Sequence, residues 1–431
     1  MSLHFSLGLL TLFLLAAIGT PIGYGIITAA VVYLAVGGLD IGLAGEQLLY
    51  GLYDSFVLLA VPLFITAANI MNAGTISDRL LQFCVVVVGR FRGGLGHVNV
   101  VASLIFSGMS GSAVADAAGI GKLITEMMTR ENHYSRGYAA AITAASATIG
   151  PIIPPSIPMV LYALVSNASI GYLFLGGILP GLVMGVVLMA MNAYLAGRRG
   201  FVLEQPVPLK ALPRHTARAF PALLMPAILL YGIYGGVTTP TEAAAVAAAY
   251  ALLLAGLFYR SLSLAGLYRI LVDSARASAA VGLVIGGALI LNYMVVAENI
   301  PNRLAEAMVG VEVSPLVFLL GGNVLLLLLG CVLDATTIIL VIIPLFLPTC
   351  RELGIDLVHF GVVAVVNCMI GLITPPYGIL LFVINAVTGT PLAEMIREIW
   401  AFLGVLLVAL LVMILWPDLV LFLPRLLGYR G

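Results

Sequence analysis

The sequence predicts an all-α, polytopic membrane protein, built as an inverted repeat with two re-entrant helical hairpins and two helices broken at Pro-Pro pairs. Of its 431 residues, 62% are hydrophobic and 9% are charged, whereas soluble domains carry about 25% charged residues. The apolar runs have the roughly 20-residue length of a bilayer-crossing helix and lack the alternation of a membrane β-barrel. A cluster of polar and proline residues also occurs twice along the chain.

Charge and reactive side chains exclude several classes of function. The 19 Lys and Arg balance the 19 Asp and Glu, so the chain has no basic field for nucleic acid. The four cysteines form no C-x-x-C pair and the five histidines have no metal-ligand spacing, so the sequence predicts neither zinc nor redox chemistry. The first apolar run lacks the basic segment and cleavage site of a signal peptide, and we expect it to be a retained helix.

The apolar runs divide the chain into five parts. N-terminal scaffold helices (1–92) precede a first repeat (93–196), a basic cytoplasmic loop (197–218), further scaffold helices (219–310) and a second repeat with the last helix (311–431). The predicted full crossings are 3–20, 21–39, 54–73, 137–166, 171–196, 219–237, 241–259, 276–296, 360–387 and 393–416.

Two longer runs, 94–128 and 315–350, have small and polar residues at their middles. This pattern favours a re-entrant hairpin, which is tolerated in a membrane only when it is packed inside protein. Each hairpin is followed by a helix that contains a Pro-Pro pair, at 137–166 and 360–387.

Basic residues predict the orientation, because Lys and Arg near membrane ends bias short loops to the cytoplasm. The loop from Gly197 to Ala219 contains five of them. Placing this loop inside also puts most other basic residues inside. Both termini and the entrance of the second hairpin then lie on the opposite, periplasmic side, so the two hairpins are inverted with respect to each other.

Two motifs recur at nearly the same offset. Ile149–Ser156 (IGPIIPPS) reappears as Ile370–Tyr377 (IGLITPPY), 221 positions later, and Asp116-Ala117 reappears as Asp334-Ala335, 218 positions later. Transporter folds are commonly inverted repeats whose discontinuous helices meet near the membrane midplane. The repeat therefore predicts a transporter.

The residue types predict a sodium site. A Pro-Pro pair inside a span frees carbonyl oxygens that need a partner, and sodium as a hard cation prefers oxygen ligands. Hydroxyls and an aspartate from the facing hairpin would complete the shell. An intramembrane aspartate costs roughly 2.5 to 3.5 kcal/mol on insertion scales, which is itself a sign of function.

Structural alternatives stay open for these motifs. Either Pro-Pro pair can be an ordinary kink, and the small residues of 107–121 can be a helix-packing face. Thr239 and Glu242 have the spacing of a capping box around Pro240, so Glu242 is predicted to cap a helix and not to relay protons.

An apolar chain of this kind can also belong to two other classes of function. Gly108–Gly111 matches the G-x-S-G pattern of intramembrane serine proteases, but no histidine lies at the centre of a later span to act as base. A passive channel would carry polar residues along whole helices, whereas here polarity is confined to two clusters. The sequence therefore predicts that the protein is not an enzyme.

Four blocks in order resemble the large membrane subunit of tripartite ATP-independent periplasmic (TRAP) transporters. They are Arg92–Val100, Ser107–Asp116, Ala144–Met159 and Thr238–Val246, and the second Pro-Pro block follows them. The resemblance implies a sodium-driven importer of organic acids such as C4-dicarboxylates in the bacterial inner membrane, surrounded by membrane lipid. It also implies an elevator motion, a small four-helix membrane subunit and a periplasmic binding protein as partners.

The resemblance further implies two sodium sites. In this chain Ala113 stands where the family often has serine, so a neighbour would have to supply that hydroxyl. We expect the carboxylate of Asp334 to ligate an ion and not to serve as a partner in a structural hydrogen bond or ion pair. The matching residues are Ser107, Ser110, Ser112 and Asp116 with the carbonyls of Gly150 and Pro154 for the first site, and Asp334, Thr336, Thr337, Gly371 and Thr374 for the second.

No arginine or lysine lies in the two central clusters to neutralise a carboxylate. We therefore expect the half-helices that begin after each Pro-Pro pair to offset that charge. Ser156 and Tyr377 follow the two pairs directly, and with Thr337 they are predicted to contact the substrate; alternatively, Tyr377 packs against a neighbouring helix. The alternative function is a self-sufficient ion-coupled dicarboxylate carrier of related fold, which would need no partner proteins.

Overall fold

The computed structural model describes residues 2–54, 56–72, 75–130, 133–201, 209–300 and 314–431. All regular structure in these ranges is helical and none of it is β-strand, which confirms the all-α prediction. By length and composition, six of the described helices can cross a membrane. They are Ile170–Arg199, Leu212–Tyr234, Pro240–Phe258, Leu264–Ala297, Ala335–Glu352 and Leu392–Leu415.

The N-terminal part forms short helices. α1 (Leu3–Ala17) and α2 (Ile22–Val36) have 15 residues each, about 22 Å at 1.5 Å per residue. They are shorter than the full crossings predicted at 3–20 and 21–39, because the Gly-Thr-Pro and Gly-Gly segments after them end each helix early. α3 is Gly42–Asp54.

The next predicted crossing, 54–73, is divided. A 3₁₀ turn at Phe56–Leu59 leads into α4 (Ala60–Asn72), and α5 (Thr75–Val88) is a further apolar helix that the sequence analysis did not count. Residues 55, 73 and 74 lie outside the described residues.

The first repeat contains the predicted helical hairpin. α6 (Gly94–Ser110) ends at Gly111, and two further helices, α7 (Ala113–Ala118) and α8 (Ile120–Thr129), return along it. Asn99 Nδ2 lies 3.8 Å from Met128 Sδ, so the start of α6 lies beside the end of α8. The hairpin geometry is therefore present, and its re-entrant position in a bilayer stays a prediction.

The predicted broken helix follows. α9 (Arg136–Ala147) and α10 (Ile157–Ser166) are separated by an irregular segment that contains the cis Pro154-Pro155 bond. Buried polar side chains join α9 to the hairpin: Asn99 Nδ2 donates to Thr143 Oγ1 at 2.6 Å, and Ser146 Oγ donates to Asn99 Oδ1 at 2.9 Å. Such satisfied networks hold two elements in one register.

Four helices lie between the first broken helix and the second hairpin, the first of them within the first repeat. α11 is Ile170–Arg199, α12 is Leu212–Tyr234, α13 is Pro240–Leu253, extended by a π-turn, and α14 is Leu264–Ala297. The predicted capping box at the start of α13 is confirmed, since Thr239 and Glu242 exchange both bonds.

One predicted span here was too short. α14 has 34 residues and extends well beyond the predicted span at 276–296, because its charged residues lie on an exposed stretch: Asp273 pairs with Arg276 at 3.9 Å. The basic loop at 197–218 is partly helical, and its residues 202–208 lie outside the described residues, as do 301–313, where the second repeat was predicted to begin.

The second repeat has the same order of elements. α15 (Pro315–Gly330) is followed by α16 (Ala335–Thr337), which continues through a π-turn into α17 (Ile343–Glu352). The Phe318 and Phe346 ring centroids are 5.8 Å apart, so α17 returns along α15.

The second broken helix and the C-terminus complete the chain. α18 (Leu357–Gly371) and α19 (Ile379–Thr388) flank the cis Pro375-Pro376 bond. α20 (Leu392–Leu415) matches the last predicted crossing, and α21 (Pro417–Leu426) was not predicted.

Candidate transport site

The first hairpin turns directly beside the first Pro-Pro break. Gly111 has a left-handed backbone (φ +58°), and a Cβ there would lie 2.6 Å from the Pro155 carbonyl oxygen. Ser112 caps α7 by accepting a bond from the Ala115 N–H at 3.3 Å. Only glycine allows the hairpin turn and the break to approach this closely.

The second hairpin meets the second break in the same way. A Cβ on Gly371 would lie 2.7 Å from the Gly330 Cα, and the Gly378 N–H donates to the Cys331 carbonyl at 3.3 Å. In each repeat, therefore, the tip of the hairpin is packed against the interruption of the following helix.

The two hairpin turns face one cavity of about 430 Å³. The first hairpin contributes Ser110 and Ser112, and the second contributes Asp334 and Thr336. The first residues of the half-helices after the breaks, Ile157 and Pro158 of α10 and Ile379 of α19, also line it. The remaining wall residues are Ile65, Ala68, Asn69, Gly111, Ala113, Val114, Ala115, Ala118, Pro151, Ala277, Val281, Ala335, Met369 and Leu372.

Asp116 is a buried acid behind the first hairpin turn. Its side chain is 1% exposed, and neither carboxylate oxygen accepts a hydrogen bond of normal geometry, although Ser110 lies close enough to interact with it. It lies so close to the break that a Cβ on Gly150 would come within 2.3 Å of Asp116 Oδ2. A buried carboxylate is costly unless it is paired, so these oxygens and the adjacent carbonyls fit a hard cation.

The remaining residues of the first predicted sodium set lie on α6, at the hairpin turn and in the first break. Ser107 is buried and its Oγ donates to the Leu104 carbonyl at 2.5 Å. Ser110 Oγ accepts a long 3.4 Å bond from the Ser112 N–H. The Pro154 carbonyl oxygen lies 3.8 Å from the Cβ position of Gly108. A hydroxyl that donates to a carbonyl keeps lone pairs for an ion, so the set is compatible with ligation.

The second predicted set is already bonded within itself. Asp334 caps α16: it accepts bonds from the Thr337 N–H at 3.1 Å and from the Thr337 hydroxyl at 2.5 Å. Thr374 Oγ1 donates to the Ile370 carbonyl at 2.8 Å. Asp334 thus has the structural pairing that the sequence analysis did not expect, while its ligation of an ion stays a prediction.

The three residues predicted to contact substrate are not brought together in the cavity. Ser156 is fully buried, caps α10 through the Met159 N–H at 3.2 Å and donates its hydroxyl to the Pro151 carbonyl. Tyr377 is 48% exposed and packs on Phe382 with ring centroids 4.8 Å apart. Neither residue lines the cavity. The threonine of the second hairpin that lines it is Thr336 and not the predicted Thr337.

One polar residue of the cavity wall was not among the predicted site residues. Asn69 lies on α4, and its Nδ2 donates to Ser274 Oγ on α14 at 2.9 Å. An amide in the middle of an apolar run was the signal that could have identified it.

The fold and the site define a class of protein: a multi-pass membrane transport protein with paired hairpins and broken helices around a cavity that both hairpin turns line. The family model described as "Tripartite ATP-independent periplasmic transporter, DctM component" matches residues 9–419. The chain therefore belongs to this family, the large permease subunits of TRAP transporters.

Its relatives are permeases and not enzymes. The large permease protein SiaM of a sialic acid TRAP transporter from Vibrio cholerae is 40% identical over 413 residues, covering 95% of this chain and 96% of SiaM. A large permease protein of a C4-dicarboxylate TRAP transporter from Pseudomonas aeruginosa is 38% identical over 375 residues, covering 87% of this chain and 88% of the relative.

A solved structure shares the fold. The YdaH transporter of Alcanivorax borkumensis, whose topology is described as unusual, superposes with a TM-score of 0.62 over 86% of this chain and 87% of that one. Its sequence is 15% identical, so this likeness concerns the fold alone.

Proposed function

We propose that this chain is the permease subunit of a sodium-coupled importer of organic acids in a bacterial inner membrane. In this proposal it works with a small four-helix membrane subunit and a periplasmic binding protein, as the tripartite family description suggests. The observation that carries the proposal is Asp116, a buried acid that accepts no hydrogen bond of normal geometry and lies beside a helix break.

Sodium is the ion that this site would take. Its oxygen ligands would be the Asp116 carboxylate, the Ser107 and Ser110 hydroxyls and carbonyls at Gly150 and Pro154. Asp334, Thr336, Thr337, Gly371 and Thr374 would hold a second ion in the other repeat. A sodium ion at the first site would neutralise the Asp116 charge and reduce the cost of its burial.

The substrate would bind in the central cavity. No Lys or Arg lines its described wall, so the N-terminal ends of α10 and α19, which begin there, would favour the carboxylate together with the bound sodium. Relatives are named for acids of different size, among them sialic acid, 2,3-diketo-L-gulonate and C4-dicarboxylates. These names support an organic acid as the class of substrate.

The cavity lies at a boundary that suits an elevator motion. One wall belongs to the hairpins and broken helices, and the other to α4 and α14 of the scaffold. We propose that the hairpins and broken helices move as one body along α4 and α14, carrying the acid and the ions across the membrane.

Uptake by proteoliposomes tests the function. Vesicles containing this chain and the small subunit would receive labelled sialic acid or C4-dicarboxylates, with and without the binding protein, in sodium and in choline. We expect uptake that requires sodium and the binding protein. Full uptake in choline driven by a proton gradient would refute sodium coupling, and full uptake without partners would favour the self-sufficient carrier.

A further inference from the structure

Asn69 faces the central cavity from the scaffold side. The scaffold helices α4 and α14 contribute five of the described wall residues, and the other four are apolar: Ile65, Ala68, Ala277 and Val281. Asn69 is therefore the polar group that the described part of the scaffold presents to the hairpin turns.

The direction of this amide is set by Ser274. Asn69 Nδ2 donates to Ser274 Oγ at 2.9 Å, and Ser274 is 2% exposed. A side-chain amide has two N–H donors and one carbonyl acceptor, so this bond leaves one N–H and the carbonyl oxygen for another partner. Asn69 is half-buried at the cavity wall, so these atoms are accessible to water or to a ligand that enters the cavity.

The chemistry of the two walls separates the two ends of an organic acid. The wall made by the hairpins and breaks has the starts of α10 and α19, which favour a carboxylate, and also Asp334, whose charge the proposed sodium ion would balance. The scaffold wall has one neutral amide among apolar side chains, which suits a neutral polar group.

We propose that Asn69 determines specificity by hydrogen bonding to a hydroxyl or amide group of the transported acid. This inference rests on the proposed binding of an organic acid in the cavity. A site that hydrogen-bonds a substrate group rejects analogues without it, because its own polar atoms are then left unpaired. Asn69 would thus distinguish acids that differ in one neutral substituent.

A purely structural role makes a different prediction. If the Asn69–Ser274 bond only joins α4 to α14, its loss would weaken the binding of every acid by the same factor. The ratio of affinities for two acids therefore separates recognition from stability.

The experiment measures equilibrium binding to the purified complex of the large and small membrane subunits in sodium buffer, so that the binding protein does not influence selectivity. The probes are sialic acid and the pair malate and succinate, which differ by one hydroxyl. Asn69→Ala is compared with Asn72→Ala. Asn72 is a matched control, since it is on the same helix, lies near Gly119 of the first hairpin and is absent from the cavity wall.

For the preferred acid, Asn69→Ala should raise the Kd about tenfold, the effect of one lost hydrogen bond. The malate-to-succinate ratio of affinities should approach one, and Asn72→Ala should change neither quantity by more than about twofold. An equal change for all acids, or none, overturns the proposal.

A labelling experiment gives an independent readout. Asn69→Cys should react with a small thiol reagent, and the bound acid should slow this reaction; the four native cysteines are buried. Unslowed labelling while the acid still binds contradicts a contact at Asn69. Failure of every acid to bind the wild-type complex would instead refute the proposed function, and the role of Asn69 with it.

Discussion

Replacing Gly150 with alanine is expected to displace the Asp116 carboxylate and weaken sodium binding. The added Cβ would lie 2.3 Å from Asp116 Oδ2 and 3.2 Å from the Ala147 carbonyl oxygen. Since Cβ atoms essentially never approach another heavy atom within 3.0 Å, the carboxylate has to move by at least 0.7 Å. A shift of this size is large compared with the tolerance of metal–oxygen distances.

The magnitude follows from the cost of overpacking a well-packed interior, about 1 to 3 kcal/mol. If the strain is relieved by displacing the carboxylate, this free energy is lost from sodium binding. At about 1.4 kcal/mol per tenfold change, the half-maximal sodium concentration for uptake should rise about 5- to 150-fold. The maximal rate at saturating sodium should change less.

The assay is sodium-dependent uptake in proteoliposomes, with the melting temperature of each variant measured in sodium-free buffer. Gly404→Ala on α20 is the control, because nothing lies within 4 Å of its Cβ position. Asp116→Asn removes the charge at nearly constant volume and should abolish sodium activation. A Gly150→Ala protein with wild-type sodium activation would show that Asp116 does not ligate the ion.

Three further predictions concern the other site residues. Asp334→Ala should lower the melting temperature, because it removes a helix cap worth about 1 kcal/mol, and it should also weaken the activation of uptake by sodium. Asp334→Ser keeps a capping group but removes the carboxylate. Normal sodium activation in Asp334→Ser would therefore contradict ligation by the carboxylate. Thr239→Ala should cost about 1 kcal/mol of stability and leave the KM for the acid unchanged, and a changed KM would contradict a purely structural cap. Ser156→Ala should lower the free energy of unfolding by about 1 to 3 kcal/mol, because it leaves the Pro151 carbonyl without its donor. Tyr377→Phe should leave the melting temperature unchanged and the uptake rate within about twofold of wild type. A larger loss of uptake for Tyr377→Phe would support the predicted contact with the substrate.

Local signals in the sequence were enough to predict most helices and their interruptions. Runs of about 20 apolar residues marked α11, α12 and α20, and the capping box at Thr239 marked the start of α13. Prolines and glycines marked the two breaks and the two hairpin turns, because proline removes a backbone N–H donor and glycine allows backbone conformations that other residues rarely adopt. The matched offsets also predicted that the two repeats share one order of elements.

The composition of the site depended on contacts between distant segments. The bond from Asn69 to Ser274 joins residues 205 positions apart, and no local pattern contains it. Ser156 and Tyr377 are equivalent in the repeat, yet one is fully buried and the other 48% exposed, because their surroundings differ.

The two aspartates show the same division between sequence and structure. The sequence alone determined that Asp116 and Asp334 are both acids within apolar hairpins. In the structure Asp334 is the N-cap of α16, the place that Ser112 takes at α7, whereas Asp116 lies in the first turn of α7. The cap at Asp334 is a local contact with Thr337, three residues along the chain, whereas only the tertiary structure decided that Asp116 lies against Gly150. The reason is that a side chain's partners are set by which elements pack around it, and that packing depends on the whole chain.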